Sequence, residues 1–392
     1  MKSLNLFSLV LLCVLMGSNA SAEDKKYFKN RIEQLENRVK QLESEKSQKA
    51  SPSGSERASG STTATGISRY FNPAISVNGL LLGTYTNRGR NDASREVKTG
   101  MKIQEVEMRF TANIDSYLTG DLTIAFEGDE VEIEEIIASL LVTNNLAFRA
   151  GKFFTPFGKH NLLHTHNFPF IDAPLINEEI LGEEGINEVG VGASVLLPTP
   201  WFSEVNLQIL EGDNALFSGP LNDDFLYLAH WKNLIDLTRE LTAELGGSFA
   251  YGRNDLITGP YNHTTLAGAD MTFKWKPAGR EKYRTLIWQT EFMNSSKNID
   301  KKGIYTLVQH QFARRWWVQG RYDFLTLPRD AVGGGEVKQD KHRYAGLLAF
   351  VLSEFSALRL QYSFLDSSIA ENEHQVLLQL NFTFGSHPAH SY

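Results

Sequence analysis

The chain has almost no cysteine, and past its first residues it has no long apolar run. Its only cysteine is Cys13. The only run that approaches the roughly 20 residues of a membrane-crossing helix lies at the start. Lys2, the apolar stretch Leu4 to Met16 and the small residues Ala20-Ser21-Ala22 together have the order of an export signal, so residues 1–22 are predicted to be removed. Leu12 precedes Cys13, where a lipoprotein signal has a small residue, and the cysteine leaves with the signal. The mature chain then has neither a disulfide nor a thiolate site. Positive charge is also in deficit. Lys and Arg number 39 against 46 Asp and Glu, for a net charge of −7. A concentrated basic surface for nucleic acid is therefore not expected. Hydrolytic signatures are missing too: there is no nucleophile elbow, no His-Glu-x-x-His and no Gly-rich phosphate loop. No enzymatic activity and no cofactor are predicted.

Directly after the signal comes a short heptad. Phe28, Ile32, Leu35, Val39 and Leu42 repeat with a 4-3-4-3 spacing, which places them on one helical seam. Arg31 and Arg38 fall at g, and Glu36 and Glu43 at e, so parallel neighbours can pair across the seam. The unit Arg-apolar-x-x-apolar-Glu occurs twice, as Arg31-Ile32-x-x-Leu35-Glu36 and Arg38-Val39-x-x-Leu42-Glu43, and resembles the signature of short trimeric coiled coils. β-Branched a positions with Leu at d lean towards dimers; the in-register repeat favours the trimer. Residues 23–46 are thus expected to form an oligomerisation segment on the periplasmic side. Residues 47–70, rich in Ser, Gly, Ala and Thr, are expected to form a flexible linker, and residues 71–392 one large domain.

That domain alternates with period two. Val376, Leu378, Leu380, Phe382 and Phe384 share one face, opposite Gln379, Asn381 and Thr383; Leu358, Leu360, Tyr362 and Phe364 oppose Arg359, Gln361 and Ser363. Charge in mid-strand on the second face suits a wet lumen behind a lipid-facing wall. Sixteen antiparallel strands are predicted between residues 74 and 384. Tight turns at Asn144-Asn145, Pro198–Pro200, Ala313-Arg314 and Ser353-Glu354 alternate with longer connections such as 87–100, 155–186, 253–263 and 327–340, with the connection near Asp129 a short exception. Short turns on one side and longer loops on the other are the pattern of a transmembrane β-barrel of a Gram-negative outer membrane. Ten lumen charges are expected: Glu107, Arg109, Arg149, Glu244, Asp270, Lys274, Glu291, Arg321, Asp323 and Arg359.

The longest connection, Thr155 to Ile186, comes after the fifth strand, and a loop of this length is usually functional. It is acidic, with Asp172, Glu178, Glu179, Glu183, Glu184 and Glu188, and carboxylates at a constriction favour cations. With both signs on the wall, a mixed and weakly selective pore is expected. His160, His164 and His166 lie close together in the same loop, and neutral imidazoles bind zinc and copper. Their alternative role is to hydrogen-bond backbone and pack beside Phe168 and Phe170.

The segment Ala150-Gly151-Lys152-Phe153-Phe154-Thr155-Pro156-Phe157-Gly158 resembles the Gly-x-Phe-x-x-Pro-Phe segment of the phosphate-selective porin O and P family, with a looser likeness from Phe71-Asn72-Pro73 to the last strand. That resemblance implies a trimeric sixteen-stranded porin whose third external loop folds inward and narrows the pore. Phosphate selectivity is not carried over, because a ladder of basic residues cannot be matched position by position. His164-Thr165-His166 followed by Phe170-Ile171-Asp172-Ala173-Pro174-Leu175 is also similar to proteins labelled zinc-regulated outer-membrane receptors. The leading expectation is therefore a homotrimer in outer-membrane lipid that passes small ions or solutes. Metal-ion uptake through the His loop is the alternative. A structural tether and an outer-membrane hydrolase come behind both.

Overall fold

The computed structural model describes residues 73–87, 99–128, 130–182, 184–219, 224–254, 263–280, 283–296, 300–330, 336–368 and 371–385. The expected signal, coiled coil and linker lie outside the described residues, as does Glu183.

Sixteen strands succeed one another: β1 (Ala74–Thr86), β2 (Gly100–Asn113), β3 (Leu118–Glu127), β4 (Glu130–Thr143), β5 (Leu146–Phe154), β6 (Asn187–Leu196), β7 (Phe202–Leu210) and β8 (Leu226–Asp236). The second half comprises β9 (Leu241–Arg253), β10 (His263–Trp275), β11 (Thr285–Ser296), β12 (Asp300–Ala313), β13 (Trp316–Asp330), β14 (Glu336–Ser353), β15 (Ser356–Ser367) and β16 (Glu373–Gly385). Each pairs antiparallel with its neighbours in the chain, and β1 closes on β16 from Ser76↔Gly385 to Thr86↔Gln375. Closure leaves no open strand edge.

Alternation decides which way each side chain faces. On β15, Leu358, Leu360 and Tyr362 are exposed while Arg359, Gln361 and Ser363 between them are buried. The same holds on β11, where Leu286, Trp288 and Phe292 face out and Gln289 and Glu291 face in. The outer face thus presents apolar and aromatic side chains to its surroundings, and the inner face holds the polar ones. A soluble fold inverts this arrangement; a transmembrane barrel has it.

Part of the inner wall is apolar as well. Leu228, Ala250, Leu266, Met293, Tyr305, Leu307, Leu325, Ala345 and Leu347 are buried and belong to one cluster with residues of the β5–β6 connection. On β12 this makes Ile304-Tyr305 and Leu307-Val308 apolar on both faces. Here the packing partner inside is the chain itself rather than water.

Some boundaries differ from the sequence reading. β14 begins at Glu336 rather than near 341, because Glu336 to Lys341 has a single apolar residue, Val337, and so shows no apolar alternation although it pairs with β13. β13 runs through Pro328, which sits opposite Lys338. β7 ends at Leu210, and Gly212 turns the chain with a φ of +77°.

Candidate functional site

Two positions, one near the end of β5 and one early in the β5–β6 connection, admit only glycine. Gly151 has a φ of +136°, and a Cβ there would lie 1.8 Å from the Ile136 carbonyl oxygen. Gly158 has a φ of +64°, and a Cβ would lie 1.7 Å from Glu291 Oε1. Between them, Phe153 and Phe157 are fully buried in the interior cluster. The Gly-x-Phe-x-x-x-Phe-Gly spacing therefore marks a strand end, two core aromatics and a turn pressed on the far wall. At that turn Gly158 N donates to Ser248 Oγ at 2.9 Å, and Lys159 N and His160 N both donate to Glu291 Oε2 at 3.2 Å. The two ends of the loop are joined by Asn161. Its amide donates to Thr155 O at 2.9 Å and Ile186 O at 3.1 Å and accepts from Ile186 N at 2.9 Å.

The loop then crosses to β13–β16. Arg359 donates to the carbonyls of Phe168 and Pro169 at 2.8 and 2.6 Å, and Gln361 Oε1 accepts from Ile171 N at 2.7 Å. Asp172 is the hub. It receives Arg321 Nη2 and Arg343 Nη1, each at 3.1 Å, and Gln361 Nε2 at 2.7 Å. Arg321 also donates to Asp323 at 2.9 Å, Arg343 to Glu178 at 2.7 Å, and Lys341 to Glu179. Burial works against ionisation of Asp172, but the Arg321 and Arg343 guanidiniums hold it below the usual carboxylate range. Burial also raises Glu178, with Arg343 opposing.

These pairings change the acidic-loop reading. Asp172, Glu178 and Glu179 do not stand as free carboxylates but are each matched by a base from β13 or β14. Glu184 is exposed. Glu188 is not in the loop at all. It is the second residue of β6, buried, and accepts from Gly212 N at 2.7 Å and from Asn214. Val189 next to it faces outward, so the strand phase turns Glu188 in.

The ten wall charges lie on the inner phase of their strands. Arg109 pairs with Asp121 at 3.1 Å, Glu244 with Lys159 at 2.5 Å, and Arg149 stacks over Phe153 at 4.2 Å. Asp270 is buried and Lys274 half-buried on β10.

The three histidines separate. His160 is buried, packs in a tilted arrangement against Phe168 at 4.3 Å and edge-on to Tyr305 at 6.5 Å, and its Nε2 has no hydrogen-bond partner among the described residues. Burial, with Arg321 adding and Asp172 opposing, lowers its pKa to about 3. It is not a member of a common site with the other two. His164 and His166 stack at 5.9 Å and point to β2 and β4. His164 Nδ1 lies 3.0 Å from Glu134 and 3.2 Å from Glu107, its Nε2 3.0 Å from Glu135, and His166 Nδ1 3.1 Å from Glu107. Burial opposes charge on His164, but these three carboxylates raise it well above the usual histidine value.

Beside this cluster is a cavity of about 310 Å³ between the loop and β2–β4, lined by Glu105, Glu127, Glu130, Glu132 and Glu134 among others. Glu105, Glu134, Glu135, Lys159, Asn161, Lys341 and Arg343 were not singled out from the sequence. The run Glu130-Val131-Glu132-Ile133-Glu134-Glu135 was the available signal for the acidic wall, because carboxylates at alternate positions share a face.

No protein-family model matches the chain. An uncharacterized protein of Aquifex aeolicus (strain VF5) is 28% identical over 349 residues, covering 78% of this chain and 72% of that protein. Solved structures share the fold. OprB of Pseudomonas putida superposes with a TM-score of 0.57 at 10% identity, over 81% of this chain and 96% of that one. An anion-selective porin from Comamonas acidovorans gives 0.55 at 12% identity, over 80% and 100%. The trimer form of Vibrio cholerae OmpT, an outer membrane protein, gives 0.53 at 10%, over 80% and 100%. The closed barrel of this chain thus shares its fold with an anion-selective porin and an outer membrane protein.

Proposed function

We propose that this protein is a trimeric outer-membrane porin, a water-filled diffusion channel for small ions or solutes, narrowed by the loop between β5 and β6. One observation carries the reading. Inside a closed barrel whose outer face is apolar, a loop leaving β5 is tied to β9 and β11 at its start and to β13, β14 and β15 further on. A chain segment pinned to opposite walls reduces the open cross-section at that height, whatever the solute. The porin fold and the trimer form of one structural neighbour support the same reading. The segment 150–158, with its resemblance to the phosphate-selective porin O and P family, supports the placement of the constriction.

The lumen is mixed in sign. Arg321, Arg343 and Arg359 lie towards β13–β15, and Glu105, Glu127, Glu130, Glu132 and Glu134 line the cavity by β2–β4. With Asp172, Glu178 and Glu179 paired to bases and both signs on the wall, we read the selectivity as weak.

Planar-bilayer recording of the purified protein tests this. Conductance steps in groups of three are expected, with a small reversal potential in a gradient of KCl. A folded protein that gives no conductance would remove the channel reading. A large reversal potential of either sign would remove the weak selectivity alone.

A further inference from the structure

We propose that Glu107, Glu134 and His164, with Glu105 and His166 adjoining, form a binding site for a divalent cation of the zinc type that fastens the interior loop to β2 and β4. The site needs no channel activity and is independent of the diffusion reading. It also differs from a three-histidine set, since His160 lies elsewhere and the carboxylates come from the wall.

The backbone prepares the site. Successive residues of a strand face opposite ways, so Glu134 and Glu135 should not both reach one side chain. They do because Thr123 pairs with Glu135 and Ile124 with Ile133, leaving Glu134 as the extra residue of a β-bulge. A second bulge lies on β2, where Leu80 pairs with Glu105 and Leu81 with Ile103. The extra residue, Gln104, joins Glu105 in facing inward and accepts from Gln379 at 2.7 Å. Bulges re-aim side chains beside functional sites, and these two flank one cluster.

The donor atoms are close enough to share an ion. Glu107, Glu134 and His164 each offer a ligand atom, all within 4.8 Å of one another, and so do Glu105, Glu107 and His166. Glu107 belongs to both sets. His164 has the arrangement of a metal-ligating imidazole: Nδ1 faces the ligand carboxylates of Glu107 and Glu134, while Nε2 is 3.0 Å from Glu135. A carboxylate on the distal nitrogen fixes tautomer and ring orientation.

A further observation points to a missing partner. Glu105 is only 2% exposed, and its Oε1 has no hydrogen-bond partner among the described residues. An unpaired buried carboxylate oxygen is costly, and a cation would satisfy it. Among the described residues, Glu107, Glu134 and Glu135 form ion pairs with histidine, and no lysine or arginine fills the space. The acidic cavity lined by Glu105 and Glu134 supplies a path for a cation. Mixed imidazole and carboxylate donors suit zinc and its first-row neighbours better than calcium or magnesium, which take oxygen ligands.

The test is zinc titration calorimetry on the full chain without a histidine tag, stripped with a chelator, its folded state checked by heat-modifiable gel mobility. One zinc per chain is expected. Glu107→Gln and His164→Asn should abolish stoichiometric binding. Glu135→Gln should weaken it about ten- to a hundredfold, and His160→Asn should leave it unchanged. If a ligand variant fails to fold, X-ray absorption at the zinc edge of the wild-type protein decides, with imidazole nitrogen expected at about 2.0–2.1 Å. Absence of stoichiometric binding, a shell without imidazole, or equal affinity in Glu107→Gln would overturn the site. Because conductance is not read, none of these outcomes bears on the channel.

Discussion

His160, His164 and His166 are chemically identical, and their surroundings make them different residues. His160 is enclosed by Phe168 and Tyr305, and Arg321 adds to the penalty on its charged form. Its folded pKa of about 3 lies below the 6.5 of an ordinary histidine. Between these values the unfolded chain binds more protons than the folded one, so His160 withdraws stability as pH falls from about 6.5 towards 3. His160→Asn is expected to flatten that part of the stability–pH curve in denaturant melts. An unchanged slope would mean that the ring charges in the folded state. His164, four residues later, meets three carboxylates instead of aromatic rings. Gly158 shows the same dependence on surroundings: its left-handed φ and the Glu291 carboxylate against it were not readable from the residue alone.

At the scale of elements, the interior loop behaves as a seventeenth piece of wall. Among its described residues it has little regular structure, with short helical turns at His160–Leu162, Thr165–Asn167 and Asn177–Leu181. Its order comes from side chains of other strands, and from Asn161, which closes the loop on itself. Asn161→Ala would leave the Ile186 N–H unpaired, a loss of about 1–3 kcal/mol, while the Thr155 and Ile186 carbonyls keep the Phe157 and Thr155 N–H donors. A lower unfolding midpoint and a noisier open-channel current are the expected results. A variant with wild-type noise and midpoint would show that the wall contacts alone hold the loop. The two bulges on β2 and β4 belong to this scale too, because each redirects one carboxylate or amide without ending its strand.

At the scale of the whole molecule, closure and outer apolarity make the barrel, and assembly is a separate matter. The trimer is our proposal, from the repeated Arg-apolar-x-x-apolar-Glu unit at 31–43 and from the fold. The double substitution Ile32→Asp with Leu35→Asp puts charge on the heptad seam. Native mass spectrometry in detergent is expected to show less trimer for this variant at a fixed protein concentration. An unaltered trimer fraction would assign assembly to the barrel alone.

The sixteen strands and their in–out phase were legible in the chain, because period-two alternation is a local property that each segment carries by itself. Leu358 to Phe364 could be read without reference to any other strand. The length and position of the β5–β6 loop were legible for the same reason. What the loop does was not. Its carboxylates read as an acidic ring, and only the tertiary structure places Arg321, Arg343 and Lys341, more than a hundred residues away, against Asp172, Glu178 and Glu179. Arg343 escaped notice because its inward neighbours Ala345 and Leu347 are apolar, and they are apolar because the loop packs on them. The acid–histidine cluster was hidden by a bulge, which breaks the alternation from which facing is inferred. Sequence alone determined the barrel, where neighbours in the chain are neighbours in space; the structure decided the interior, where partners meet only once the barrel has closed.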